Sequence, residues 1–434
     1  MTERTNTADD HTAAERILMT HTISPSNTRQ DVPRLQDRIS TDVWIPKEVI
    51  DLRTRARAAV VKAVQPYAQD IGEREESRES FPWAAFRGLA DEGMFAVPFE
   101  AHYGSGFDHP MLATCTVTEE IGYHSSSMAG VYDGQCILMA QTLTFAAPSL
   151  QEQLIPALIS GSSAFSFATT EPEASSDLSA ETLRTIATET EGGFIVNGRK
   201  RWITNSIVAD WAAILCGDGN RTTMLLVDLK NSPGVRIGEP DLKMGHRGQV
   251  TADIVLDGVF VPSENVLGSR GGGMKVALSA LARGRIGIGA AGVGVAQAAL
   301  DLAVDRLRTR HAFGGPLGKL QYWQFKIAEH ATNIECARML YQKAAMRLDT
   351  EGGTAEPEAA MAKAYGTRVA VDVVRDSLQI HGGFGFARKI SETGESVRLE
   401  ELYRDAKILE IFEGANELQQ WIIARNVIGR DVTG

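Results

Sequence analysis

Tyr403-Arg404-Asp405-Ala406-Lys407-Ile408-Leu409-Glu410-Ile411-Phe412-Glu413-Gly414-Ala415-Asn416-Glu417-Leu418-Gln419-Gln420-Trp421-Ile422-Ile423-Ala424-Arg425 decides how the rest of the chain is read. It reads as two helices that meet at a short corner. Gly414 breaks the first helix. Asn416 is positioned to cap the second, with Gln419 three residues on as in a capping box. Leu418, Trp421, Ile422 and Ile428 fall on one helical face. Glu413 is left at the corner, between Ile411-Phe412 and Gly414, with no cation beside it in sequence. A carboxylate in that setting has its pKa raised by desolvation, which suits a general base. Taken alone, a loop glutamate is more often a solvated surface residue than a catalyst.

Arg404-Asp405-Ala406-Lys407-Ile408, Ile411-Phe412-Glu413-Gly414 and Asn416-Glu417-Leu418-Gln419 together resemble the C-terminal signature of the acyl-CoA dehydrogenase family. In that family the glutamate of the corner takes the α proton of an acyl thioester. The resemblance extends over nearly all of the chain beyond its N-terminal tail.

A chain of 434 residues is too long for one ordinary core and implies two or three domains. Hydrophobic residues at 43% and charged residues at 23% make a soluble globular balance. A net charge of −11 signals no basic surface for nucleic acid, so an anionic ligand must be held by local donors. Cys115, Cys136, Cys216 and Cys336 are scattered without a CxxC, and read as reduced core residues of a cytoplasmic protein, with no metal site. No apolar run reads as long enough to span a membrane. Glu3, Asp9 and Asp10 and the lack of an apolar leader argue against a secretory signal.

Residues 1–40 are polar and aperiodic and are expected to form a loosely packed tail. Helical spacing begins at Ile45-Pro46 and continues through Val49, Leu52, Ala56, Val60 and Val64. Further helices are expected over 81–93 and within 110–161, so 41–161 reads as a helical domain. The texture changes at Ser163. Short strands are expected at 164–170, 194–198, 202–205, 211–215, 223–227, 253–256 and 259–262, with Asn197-Gly198 as a hairpin tip. Residues 162–272 therefore form a β domain. After Gly271-Gly272-Gly273 helical patterns fill 274–311, 321–351, 359–381 and 408–428, a bundle over 273–434. This order matches the fold that the resemblance implies: mostly α, with a β-barrel-like middle domain between an N-terminal helical domain and a C-terminal four-helix bundle.

The resemblance also implies FAD. Phe167-Ala168-Thr169-Thr170-Glu171-Pro172 through Ser176-Asp177 is similar to the family's first signature, and Trp202-Ile203-Thr204-Asn205 to its partner strand. It assigns Phe167, Thr169, Thr170, Ser176, Trp202 and Thr204 to the isoalloxazine, which needs an apolar bed and a few donors. Alone, Trp202 reads as a core aromatic. Arg310, Phe313 and Gln321 resemble a segment that reaches the pyrophosphate and adenine of FAD in a neighbouring subunit, where a planar guanidinium fork suits the anion. Gln379, Gly382 and Gly383 resemble a glycine turn that lets backbone approach the same dinucleotide. It follows a helix, so it is not a Rossmann fingerprint, and His381 within it reads as a structural histidine. Glu173, Ser175 and Ser105 are departures from the family pattern.

Leu281-Ala282-Arg283-Gly284-Arg285 resembles the helix beside the thioester and pantetheine. The resemblance places Ser176, Ala282, Arg285 and Gly414 on the substrate side, and Ala415 and Glu417 beside the flavin. Ala282 replaces the usual aspartate and Ala415 the usual hydroxyl residue. Some branches of the family carry the base on this helix just before the arginine. That position is Gly284, so the base is Glu413. The linker 387–401 is longer and more charged than in the family.

The implied activity is an FAD-dependent α,β-dehydrogenation of an acyl thioester in fatty acid metabolism. Glu413 takes the α proton, the β hydrogen passes to flavin N5 as hydride, and an electron-transfer flavoprotein takes the electrons. The acyl carrier is CoA or an acyl-carrier protein. The implied assembly is a cytoplasmic homotetramer. A flavin monooxygenase or oxidase on the same fold, and a non-catalytic acyl-binding subunit, are the competing readings.

Overall fold

A computed structural model describes residues 32–40, 42–174 and 176–433. Most of the expected tail, and Ser175, lie outside the described residues. Residues 32–40 do not hang loose. Arg34 pairs with Glu120 at 2.7 Å and lies 3.6 Å over the Tyr123 ring, and the Leu35 N–H donates to Asp301. Their low apolar content hid these polar anchors from a reading based on periodicity.

Helices Lys47–Ala63, Gln65–Glu73, Trp83–Asp91, Pro110–His124, Ser126–Asp133 and Pro148–Ile159 make the first third of the chain. A π-helical segment, Gly134–Met139, continues directly from Asp133. The last third contains Gly273–Thr309, Gln321–Glu351, Glu356–His381, Leu399–Leu409 and Asn416–Ile428. The two helical regions share one core, in which Val49, Leu112 and Ile121 join Ile288, Val295, Tyr341 and Val373. A buried Arg338–Glu119 pair at 3.0 Å, with Tyr341 also bonded to Glu119, ties them together. Both partners of that pair are hydrogen-bonded, as charges out of water require.

Gly273–Thr309 is the axis of the molecule. By length and composition it is apolar enough to cross a membrane, against the sequence expectation, yet its apolar window is entirely buried within the protein. Its alanines and glycines do not form the unbroken run of large apolar residues that the eye seeks. They serve close packing instead: a Cβ at Gly292 would sit 2.8 Å from the Gly366 carbonyl oxygen of the facing helix.

Between the helical regions lies a curled seven-stranded sheet: β1 (Phe165–Ala168), β2 (Ile186–Thr190), β3 (Gly193–Thr204), β4 (Trp211–Asp218), β5 (Arg221–Asp228), β6 (Val235–Ile237) and β7 (Thr251–Pro262). The order is β1-β4-β2-β3-β7-β6, with β5 also on β4. β1 and β2 run parallel to β4; the remaining pairs are antiparallel. One side packs on Pro148–Ile159 and on Val276 and Ala277 of the axial helix.

Asn197-Gly198 is not a hairpin tip. β3 runs straight through it, and the register with β7 slips between Val196 and Gly198. The pair marks a β-bulge, the other structure that interior Asn and Gly favour. The turn lies earlier, where Gly192 (φ +78°) links β2 to β3. Cys115, Cys136 and Cys216 are buried thiols, whereas Cys336 is exposed and so is not a core residue. In 387–401, Arg388 donates to the Glu73 carbonyl and Arg398 to that of Tyr123, which lays the segment on the first helical region.

Candidate active site

The helix Leu399–Leu409 ends in a turn closed by the Phe412 N–H on the Ile408 carbonyl. Glu413 and Gly414 then both take positive φ, +53° and +93°. That conformation is uncommon for a glutamate and persists only where its surroundings enforce it. The next helix starts at Asn416, and its N-cap is Ala415, not Asn416. The Asn416 side chain is occupied elsewhere, accepting from Lys363 Nζ at 2.9 Å and donating to Thr367 Oγ1 at 3.0 Å. Gln419 donates to the Gly414 carbonyl at 2.9 Å. A capping pattern is thus redirected to brace the corner and the axial bundle.

The Glu413 residue is half-buried, but its Oε2 is shielded from water and has no hydrogen-bond donor. It fills a notch in the axial helix, for a Cβ at Gly284 would overlap Oε2. One turn on, a Cβ at Gly287 would overlap Oδ1 of Asp133, which is equally unpartnered. The two carboxyls fill neighbouring notches, close enough for each to act on the other's ionisation. Desolvation raises the Glu413 pKa, and contact with Asp133 and the nearby charges of Lys363 and Arg285 oppose it. Asp133 is pushed well above the carboxylate range by burial first and by Glu413 second. Burial lowers the Lys363 ammonium to about 8. The buried Arg285, lowered by desolvation, has an unpartnered Nε.

A hydrogen-bonded chain supports the corner from behind. Ser126 Oγ and His246 Nε2 are 2.7 Å apart, as are His246 Nδ1 and Gln249 Oε1. Gln249 Nε2 then donates to Thr204 Oγ1 at 3.2 Å. The His246 ring meets Phe412 edge-on at 5.7 Å, and its backbone N–H donates to Asp405. Burial lowers the imidazole pKa to about 4, so the ring is neutral. All three regions of the chain meet in this network.

The residues expected around the flavin fall into two groups. Near the corner, the Arg201 N–H donates to the Thr170 carbonyl at 2.9 Å, which joins the Phe167–Thr170 segment to the Trp202–Thr204 strand end. Thr169 is buried, while Phe167, Thr170 and Thr204 are half-buried. Trp202, at φ +54°, leaves 57% of its surface exposed. Glu171 accepts from the Arg184 and Thr185 backbone and from buried Lys200 at 2.7 Å, fixing the loop behind them. An exposed indole flanked by hydroxyls and backbone amides is a fitting bed for a planar flavin. Ser176 is exposed on the following loop.

The second group lies at an end of the bundle. Arg310, Phe313 and Gln321 surround the two-residue hairpin His311–Ala312/Gly315–Pro316, and all three are exposed. Gln379, Gly382 and Gly383 are exposed beside them, linked through the small cluster of Ala303, Leu307 and Ile380. A Cβ at Gly382 or Gly383 would meet nothing within 4 Å, so the backbone is open to close approach. His381 is buried and held on the Ser377 carbonyl at 3.0 Å. Of the remaining candidates, Ala282 is buried, Gly414 and Ala415 are half-buried at the corner, and Glu417 is exposed. Asp133, His246, Gln249 and Lys363 escaped the sequence reading. The one signal was Asp133 itself, a lone acid inside an otherwise uncharged run from Ser125 to Leu143.

Residues 46–162, 166–259 and 271–428 match, in turn, the N-terminal, middle and C-terminal domains of acyl-CoA dehydrogenases. The chain is 34% identical to a 3-(aryl)acrylate reductase of Clostridium sporogenes, over 87% of this chain and 97% of that one. It is 33% identical to the mitochondrial short-chain specific acyl-CoA dehydrogenase of Rattus norvegicus, over 89% of this chain and 91% of that one. A glutaryl-coenzyme A dehydrogenase in complex with glutaryl-CoA superimposes with a TM-score of 0.82 at 29% identity, covering 89% of this chain and 97% of that one. The chain therefore belongs to the acyl-CoA dehydrogenase family, a family of FAD-binding flavoproteins, and is an oxidoreductase acting on acyl-CoA.

Proposed function

We propose that the protein binds FAD and dehydrogenates an acyl thioester to its trans-2-enoyl thioester, with Glu413 as the base. The observation that carries this reading is the Glu413 carboxylate, desolvated against Gly284 with an unpartnered Oε2. A base of raised pKa is matched to abstraction near neutral pH. FAD supplies the acceptor, flavin N5, for the β hydrogen. Glu413 takes the α proton, and the strained corner and the notch hold it in one place, which is the positional contribution such a reaction needs. Arg285, buried and with a free Nε, lies where it stabilises negative charge that develops on the thioester. Trp202, Thr170 and Thr204 bed the isoalloxazine.

Arg310, Phe313, Gln321, Gln379, Gly382 and Gly383 take the pyrophosphate and adenine end of a FAD bound largely by a second copy. This makes the protein a homotetramer, a dimer of dimers. An electron-transfer flavoprotein is the electron acceptor, the compartment is the cytoplasm, and the carrier is CoA or an acyl-carrier protein.

Stopped-flow mixing of the yellow protein with acyl-CoA, without NADPH, is expected to bleach the oxidised flavin. Flavin that stays oxidised with acyl-CoA but reacts in the presence of NADPH and oxygen would replace this reading with a monooxygenase. The name of the Clostridium sporogenes relative supports a second reading, in which the same two transfers run in reverse and an enoyl substrate is reduced. Photoreduced enzyme reoxidised anaerobically by an enoyl thioester faster than it is reduced by the saturated one would favour it.

A further inference from the structure

Asp133 has no place in the mechanism above, yet it fills the notch next to that of the proposed base. It ends the helix Ser126–Asp133 where the chain passes into the π-helical segment Gly134–Met139. Such segments are rare and often mark functional sites, because they re-aim the side chains around them. Here Asp133 and Ile137 both meet the axial helix at Gly287, as Glu413 and Leu138 do at Gly284. Two acidic side chains from distant parts of the chain thus fill adjoining notches, three residues apart on one helix.

Asp133 is 1% exposed, and no cation among the described residues acts on it. The groups facing the pair are few. Arg285 on the axial helix and Lys363 on Glu356–His381 act on Glu413. Cys115 on Pro110–His124 and Cys136 on the π segment face Asp133, and both are thiols whose pKa burial raises. Two buried carboxylates side by side in such a place cannot both be ionised.

Resting on the assignment of Glu413 as the base, we infer that Asp133 is a positioning residue: its neutral carboxylic acid donates to the Glu413 carboxylate, and the pair shares one proton. The bond holds Glu413 over the notch and stabilises its ionised form against burial. When the α C–H bond breaks, its electron pair stays on carbon and Glu413 takes the proton. The pair then holds two protons and no charge, and the negative charge has moved to the substrate.

Two measurements test this. The first needs no substrate. Infrared difference spectra of the holoenzyme at neutral pH should show the C=O band of a buried neutral carboxylic acid, absent in Asp133→Asn. The second is the pH profile of flavin reduction. Asp133→Leu removes the donor, so the acidic limb should move up by about one pH unit, equivalent to about tenfold in rate below it. Asp133→Asn keeps a donor and should hold the limb within about half a unit of the wild type. Retained FAD and circular dichroism check folding, and the Asn variant keeps the test open if the Leu variant does not fold. A wild-type protein without the band, or an Asp133→Leu limb that coincides with the wild type, overturns the inference. A protein that shows the band but is bleached by no acyl thioester loses the dehydrogenase reading and keeps the shared proton.

Discussion

Two ends of the helical bundle make opposite use of their polar residues. At the Glu413 corner, Arg285, Lys363 and Asp133 are buried, and side chains from the first and last thirds of one chain close around the carboxylate. At the other end Phe313 is 91% exposed at φ +52°, and Gly382 and Gly383 face open space. An aromatic ring held out on a two-residue hairpin gains nothing by burial within its own chain. On the proposed function, the difference means that the reacting end of the site is built within a single chain, whereas the cofactor's far end calls for a second copy. Changes at the first should therefore act on the chemistry with assembly intact, and changes at the second on cofactor retention and assembly.

The largest effect is expected from Glu413→Gln. The amide fills the same volume, so FAD should be retained while flavin reduction slows by at least about 10²–10⁴-fold. Reduction at near the wild-type rate would remove Glu413 as the base.

His246 gives the closed end a pH signature. Its pKa is near 6.5 unfolded and about 4 folded, lowered by desolvation. The native state therefore binds fewer protons. Its contribution is complete above pH 6.5 and is lost as pH falls toward 4, about 3 kcal/mol in all. Urea unfolding across this range should show a slope that flattens in His246→Gln. An unchanged slope would mean the ring is not the buried neutral group described.

Arg310→Ala should weaken FAD retention by about 1.5–3 kcal/mol, the worth of a charged hydrogen bond, without altering the helical content. Ultrafiltration measures the released flavin, and sedimentation the assembly. A monomer with full FAD occupancy would break the contrast between the two ends.

Gly284→Ala offers the smallest but sharpest effect, because its sign is diagnostic. In a helix interior this change ordinarily stabilises by about 0.5–1 kcal/mol. Here the added Cβ overlaps Glu413 Oε2, and overpacking should destabilise by about 1–3 kcal/mol instead. Thermal unfolding decides the sign.

The order of helices and strands was legible because spacing and turn residues changed sharply at Ser163 and after Gly271-Gly272-Gly273. Local rules failed where distant residues competed for the same atoms. Asn416 has the chemistry of a cap, but Lys363 and Thr367 claim its side chain. Asn197-Gly198 has the chemistry of a hairpin tip, but β3 stays paired with β7 through a bulge. Glu413 stood out because the segments on both sides of it carry the family signature, since a glutamate at a helix break is by itself more often a solvated surface residue. Asp133 did not, since its 280-residue separation from Glu413 leaves no local trace.

The notch at Gly284 also bears on descent. In some branches of the family the base stands at the position of Gly284, across the same space from the corner. A carboxylate at 284 and one at 413 here compete for one volume, so neither single change is neutral. A lineage that gained the first acid before losing the second would pass through an overfilled site, and the reverse order through a site with no base. With Glu413 as the proposed base, positions 284 and 413 are expected to change together, because a side chain at 284 meets the Glu413 carboxyl.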